Sequence, residues 1–309
     1  MAREERRAQG CDIGFRSGPG SVRANRLRRH FHAMTASSSP GQKHSIFEPP
    51  GARESNAGDE FHVLWAMSRL LRVLDPSSGL SSVLMESLSP LDEVSKYPDM
   101  LLAADMTEYF GGDSFDTAES VVVSQLKYSQ RHPNKEWTAA RLSASNSRGR
   151  PGIVERLADI FKIHLEEHGR DATLKKLRLR VVSNQPASPD LIAALRKAQA
   201  VLDGKPRQVL FKTLTARLNK REEADLRRML NASKLSQRSF SDLIRLLAID
   251  DLGAGSRALQ ERQIVAALGQ HVLSDVNNSM NGLYRRVQRE ALPEGAGSPG
   301  LTKADLLAE

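Results

Sequence analysis

The chain has a single cysteine, Cys11, which excludes an internal disulfide and a cysteine-based zinc centre. No apolar run approaches the roughly 18 residues needed to span a bilayer. The N-terminus carries no apolar stretch of the signal-peptide kind, so no membrane partner is expected and the cytoplasm is the expected compartment. A Gly-x(4)-Gly-Lys-Ser/Thr sequence is also missing, which speaks against ATP hydrolysis on a P-loop in this chain. With 39% hydrophobic residues, the 309 positions suffice for one sizeable core and a second small domain.

The net charge of +8 invites a nucleic-acid reading, but it is unevenly placed. Residues 1–33 hold eight arginines against three acids, which accounts for five of the eight charges and leaves three for residues 34–309. Bulk charge is therefore a poor argument for DNA binding, and only a local patch would serve. Residues 1–57 have no hydrophobic periodicity and are rich in Arg, Gly, Ser and Pro, so disorder is expected there. They read either as a basic arm for nucleic acid or as upstream sequence ahead of a start at Met34. The second is preferred, because residues 1–33 contain no lysine and no patterned element.

From position 58 the pattern changes. Phe61, Leu64, Trp65, Met67, Leu71 and Leu74 recur at helical spacing, with Asp59 and Glu60 in the first turn where a helix dipole favours acids. A short strand follows over 80–88 and carries Glu86. A second strand is expected over 101–110 with Asp105 in its middle, then a turn-rich link over 111–119. The β-branched run from Ser120 to Ser129 reads as a third strand, in which Gln125 and Lys127 share a face with Val121 and Val123. Between Lys127 and Arg150 six basic residues face one acid, Glu136. A strong helix starts near Pro151 and ends before Gly169, a strand covers 177–185, and a helix capped by Ser188 or Asp190 stops near Gly204. From Arg207 only helical patterns appear, including one long helix over 260–289 and a cap-like Thr302. The expected architecture is α/β over 58–204, followed by an all-helical appendage or linker over 205–309.

A polar Gln and a Lys at the end of an otherwise apolar strand face ask for a reason. If the second and third strands pair, Asp105, Gln125 and Lys127 meet at one spot. Cleaving a phosphodiester needs an activated water and a means of holding negative charge on phosphorus, which a Mg²⁺ (or Mn²⁺) held by hard oxygens provides. Asp105 would be the ionised ligand, Gln125 and the Leu126 carbonyl neutral ones, and Lys127 would orient the water or offset developing charge. A lone carboxylate binds weakly, so Glu86 is the first choice as a further ligand and Glu60 the second.

Asp-x(19)-Gln-x-Lys across a hairpin resembles the PD-(D/E)XK restriction-endonuclease-like superfamily in its Mrr-like Gln-x-Lys variant. The landmarks at 58–65, 125–129, 137–142 and 183–186 are similar to those of double-stranded-DNA endonuclease domains in bacterial antiphage systems. These include cyclic-nucleotide-activated effectors and the N-terminal effectors of STAND NTPases. The resemblance covers roughly residues 58–290. It implies a restriction-endonuclease-like mixed sheet flanked by helices, and Mg²⁺-dependent cleavage of double-stranded DNA in antiphage defence. It also implies catalytic roles for Asp105, Gln125 and Lys127, and metal ligation by Asp105 and Gln125. A sensor or NTPase module, or a second copy of the chain, is the expected protein partner.

Plainer readings stand beside these. Gln125 and Lys127 also fit a half-solvated strand, Glu86 an exposed strand position, and Asp59 and Glu60 helix-start acids. Asp99 in Tyr97-Pro-Asp99 competes with Asp105. His62 reads as packing or capping, His132 as a loop residue, and Trp65 and Trp137 as core. Arg141, Arg148 and Arg150 suit phosphate contacts, or simply a solvated loop. Two other functions remain in view: a catalytically degenerate nuclease fold that binds DNA or a partner, and a remnant of a truncated STAND NTPase, for which the end of the chain at Glu309 inside a helical pattern is the hint.

Overall fold

The computed structural model describes residues 51–92, 104–145, 149–272, 275–292 and 300–307. The expectations for residues 1–50 of the tail, the start at Met34, Asp99 and Arg148 lie outside the described residues, while the disorder expected over 51–57 is overturned by a helix there. Residues Glu48–Glu309 form one compact unit.

The first helix, α1, spans Gly51–Leu70 and so begins seven residues ahead of position 58. Ala52, Arg53 and Glu54 are good helix formers and extend it without an apolar periodicity to announce it. Its Phe61, Leu64, Trp65 and Met67 are buried, as the spacing foretold, and so is Leu70. Two short 3₁₀ turns follow, and Asp75 caps the second by accepting from Ser77 N at 2.9 Å. Gly79 then takes a left-handed φ of 65° to turn into the sheet.

Six strands form that sheet: β1 (Leu80–Met85), β2 (Met106–Phe110), β3 (Ser120–Lys127), β4 (Leu177–Ser183), β5 (Leu247–Ala248) and β6 (Leu301–Thr302). Their order is β5-β4-β3-β2-β1-β6. The β6-β1-β2-β3 half is antiparallel and the β3-β4-β5 half is parallel, which makes the sheet mixed. The parallel step from β3 to β4 runs through α2 (Ala139–Ser143) and α3 (Ile153–Lys176). Helix α3 leaves helical geometry at Gly169, with φ 72°, and resumes as a last short helical stretch. Gly169 thus ends the first helical stretch, as expected, and a second short one begins directly beyond it.

Side-chain alternation sorts the strands between two cores. Val121, Val123, Leu177, Leu179 and Val181 face a layer built by α3, α4 (Pro189–Leu202), α5 (Phe211–Leu214), α6 (Lys220–Ser233) and α7 (Gln237–Leu246). Met85, Met106, Leu126 and Val182 face α1, α8 (Arg257–Leu268) and α9 (Val276–Glu290). The fold is thus α/β, a mixed sheet flanked by helices with a helical C-terminal region.

Position 204 is not a break in the packing. Leu226, Met229, Phe240 and Ile244 share a core with Val121 and Leu191, so the 205–309 segment contributes to both helical layers, and it is not all-helical, because it also supplies the edge strands β5 and β6. The long helix expected over 260–289 is two helices. Gly269 ends α8, and the Asp275 side chain starts α9 by accepting from Asn277 N and Asn278 N. At the chain's end, Asp305 accepts from Thr302 N at 2.8 Å and fastens the short α10 (Lys303–Leu307). No helix among the described residues is long and apolar enough to cross a membrane.

Candidate functional site

The end of the sheet where β3 finishes and β2 begins brings the candidate residues together. Asp105 lies just ahead of β2, not in the middle of a strand, yet it stays in the ladder: its N–H donates to Ser124 O and its carbonyl accepts from Glu86 N. The registers pair Met85 with Met106 and Met106 with Ser124. Carried one residue further, they align Glu86, Asp105 and Gln125 on one rung across three strands. Lys127 is the last residue of β3, paired with Ser183 of β4.

Asp105 Oδ2 accepts from Leu126 N at 2.6 Å and from Lys127 Nζ at 2.8 Å. The same Nζ donates to Leu126 O at 2.8 Å, so one ammonium joins a carboxylate to a backbone carbonyl. Both side chains are partly withdrawn from water, at 29% exposure for Lys127 and 13% for Asp105. His62 of α1 reaches the same carbonyl, with Nε2 at 3.1 Å. Because a carbonyl only accepts, that nitrogen carries the proton. Burial holds the His62 pKa below its ordinary value, against the pull of Asp105.

The other candidates are less uniform. Glu86 sits just beyond β1 with a left-handed φ of 48°, exposed, and turned into a hollow of about 600 Å³ lined also by Asp59, Glu60, His62, Tyr284 and Gln288. Desolvation, then the negative charges of Asp105 and Asp59, raise its carboxyl pKa. Gln125 is fully buried, which departs from an open ligand position. Glu60, the second-choice ligand, is engaged by the Arg257 guanidinium. Among the described residues no group of three or more His, Cys, Asp or Glu converges closely enough to hold a metal ion.

The basic segment after β3 divides. Arg141 is spoken for: it donates to the Lys135 and Glu136 carbonyls at 2.8 Å, reaches Gln185 Oε1 at 3.0 Å, and stacks 4.0 Å over the Trp137 ring. It shapes the loop beside the site, where these contacts hold its guanidinium. Arg150 is exposed. The landmark at 183–186 has a matching role. Asn184 exchanges hydrogen bonds of 2.9 Å with both backbone groups of Ser129, and Gln185 donates to His132 O. Trp137 N donates to Pro186 O, and the Trp65 and Trp137 rings are buried, as expected of core residues.

Neither a known family model nor a curated protein matches the chain. The arrangement itself shows what the sequence reading passed over. Asp59 and His62 lie three residues apart on one face of α1, a spacing that makes them neighbours, and both line the hollow beside Glu86. That spacing was the available signal, although nothing local says the face is turned to β3. A larger hollow of about 650 Å³ lies elsewhere, against β5, and contains none of the candidate residues. Glu108 of β2 is fully buried between Arg69 at 2.6 Å and Arg180 at 2.7 Å, a clamp that joins α1, β2 and β4.

Proposed function

We propose that this chain is a metal-dependent endonuclease acting on double-stranded DNA, of the PD-(D/E)XK type in its Gln-x-Lys form, and an effector of bacterial antiphage defence. One observation carries the nuclease reading: the Lys127 ammonium lies 2.8 Å from both Asp105 Oδ2 and Leu126 O. A carboxylate oxygen and a carbonyl oxygen served by one cation are the hard donors that Mg²⁺ or Mn²⁺ prefers. The residues fit such an ion in part: Asp105 and Leu126 O would hold it with Glu86 nearby, although among the described residues no group of three or more His, Cys, Asp or Glu converges there. When bound, the ion would lower the pKa of a coordinated water and offset charge on the phosphate.

The chain's own groups account for the rest. Lys127, drawn off its two oxygens, becomes a mobile point charge with three donors for the scissile phosphate or the attacking water. The His62 donor keeps the Leu126 carbonyl aimed, and Asp59 and Glu86 give the hollow the negative field a divalent cation needs. The defence role rests on the resemblance of the landmarks at 58–65, 125–129, 137–142 and 183–186, two of which organise the loop beside this site.

Supercoiled plasmid incubated with the purified chain should be nicked or linearised with Mg²⁺ or Mn²⁺, and not with EDTA or with Lys127→Ala. Cleavage that survives both treatments removes Asp105, Gln125 and Lys127 from the mechanism. The complete burial of Gln125 favours a second reading, a DNA-binding module without catalysis. It requires plasmid retention with no cleavage under any metal, unaffected by Lys127→Ala.

A further inference from the structure

Beyond Arg141 and Arg150, the DNA contacts of the proposed nuclease have a further source of positive charge, which the helical layer supplies. Between Lys205 and Arg221 the chain carries six basic residues and no acid. All six are exposed: Lys205, Arg207, Lys212, Arg217, Lys220 and Arg221. Only Arg221 is in an ion pair among the described residues, with Asp190 at 2.9 Å. The other five have no acid to answer them.

The backbone beneath these side chains is fixed, so the charges are held in place. Arg170 and Arg245 donate to the carbonyls of Pro206 and Arg207, Ser241 Oγ receives Val209 N, and the Arg227 guanidinium covers the Phe211 ring at 4.6 Å. Phe211 and Leu214 are buried, and the Asn219 side chain caps α6 through Arg221 N and Glu222 N. The segment leaves the C-terminus of α4 at Leu202 and returns to its N-terminus, where Arg221 meets Asp190. It therefore runs the length of a 14-residue helix, about 21 Å. Its Arg217–Arg221 end lies where α4 follows β4, the same end of the sheet at which Lys127 pairs with Ser183.

We infer that Lys205–Arg221 is a binding track for the phosphate backbone of a DNA duplex, leading away from the end of the sheet that carries the candidate site. The choice of DNA rests on the nuclease reading; the charge complementarity rests on the track alone. Exposed charges of one sign on a rigid frame are what a polyanion of regular spacing selects, since each neutralised phosphate releases condensed counterions.

The test is equilibrium binding of a fluorescent 25-base-pair duplex to the full chain in EDTA over a salt series. The triple variant Lys212→Glu, Arg217→Glu, Lys220→Glu changes only exposed side chains, and its fold is checked by thermal melting. Lys220 opens α6, where an acid suits the helix dipole. Binding should weaken by at least about tenfold, and the slope of log affinity against log salt should fall by roughly two to three, near 0.9 per lost phosphate contact. A control of equal charge, Lys175→Glu, Arg262→Glu, Arg289→Glu, should bind within about twofold of the parent by the same site-specific reasoning. Equal losses in the two triples, or an unchanged slope in the first, overturn the track. Tighter binding of single strands than of duplex overturns the choice of duplex. Because EDTA stops metal-dependent cleavage, a chain that binds through the track yet never cuts with metal refutes the nuclease reading alone. A chain that cuts normally with the track reversed refutes the track alone.

Discussion

Lys127→Met separates metal binding from cleavage. In the structure the ammonium stands between Asp105 Oδ2 and Leu126 O, the same two oxygens proposed for the ion. Lys127 is therefore a competitor for the metal as well as a catalytic group. An ammonium and a divalent ion about 4 Å apart repel by about 8 kcal/mol at an effective dielectric of about 20. The Lys127 side chain is 29% exposed and can swing toward water, which screens most of that repulsion. On the order of 1 kcal/mol is left, as is usual for exposed pairs. Removing the ammonium while keeping its apolar stem should thus tighten Mn²⁺ binding by about fivefold. Plasmid cleavage should instead fall by about 100-fold or more, the usual loss when one charge-stabilising donor is deleted. Mn²⁺ binding is read by electron paramagnetic resonance and cleavage by gel. A Mn²⁺ affinity that drops in step with cleavage would show that Lys127 supports the ion and does not compete with it, and would refute this account of the site.

Three further outcomes follow from the charges. Arg180→Met leaves the fully buried Glu108 with Arg69 as its one close partner. Urea unfolding should show a loss of about 3 kcal/mol, and a loss under about 1 kcal/mol would mean that water or Arg72 compensates. Burial holds the His164 pKa at about 4 against 6.5 in the unfolded chain, with Nδ1 donating to Ile160 O. Between those values the unfolded state takes up the proton and the folded state does not, so stability should fall as pH drops from 6.5 to about 4. His164→Leu should flatten that dependence in melts at pH 7, 5.5 and 4.5. Glu86 has the opposite sign: its raised pKa means that the folded state holds the proton longer, so ionising it on raising the pH costs stability. Glu86→Gln should raise the melting temperature slightly at pH 7 while weakening Mn²⁺ binding. A fall in melting temperature with unchanged binding would remove Glu86 from the site.

Much of the fold was readable because its signals are local. Valines at 121–123 mark a strand, Phe61 to Leu71 mark a helix, and Ser188 marks a cap whose side chain accepts from Leu191 N. The misread places are those where a local signal had two physical outcomes. A periodic stretch over 260–289 gave no warning that Gly269 and Asp275 divide it. Arg141 counted as a free charge until the loop carbonyls and the Trp137 ring were found around it. Burial of Gln125 depends on four strands and two helical layers at once, and no window of the chain contains that information.

The amino-acid sequence alone determined four of the six strands, most of the helices and the presence of Asp105, Gln125 and Lys127 within reach of one hairpin, since alternation and turn chemistry act over a few residues. Tertiary structure decided which of them touch. Strand register placed Glu86, Asp105 and Gln125 on one rung, and packing of α1 brought His62 to the carbonyl of Leu126, 64 residues away. Return of the helical segment along α4 gathered the charges of 205–221 at a surface. Contacts between residues so far apart are selected by burial and pairing of the whole chain, which is why the places of Asp59, His62 and Asn184 beside the site appear only in space.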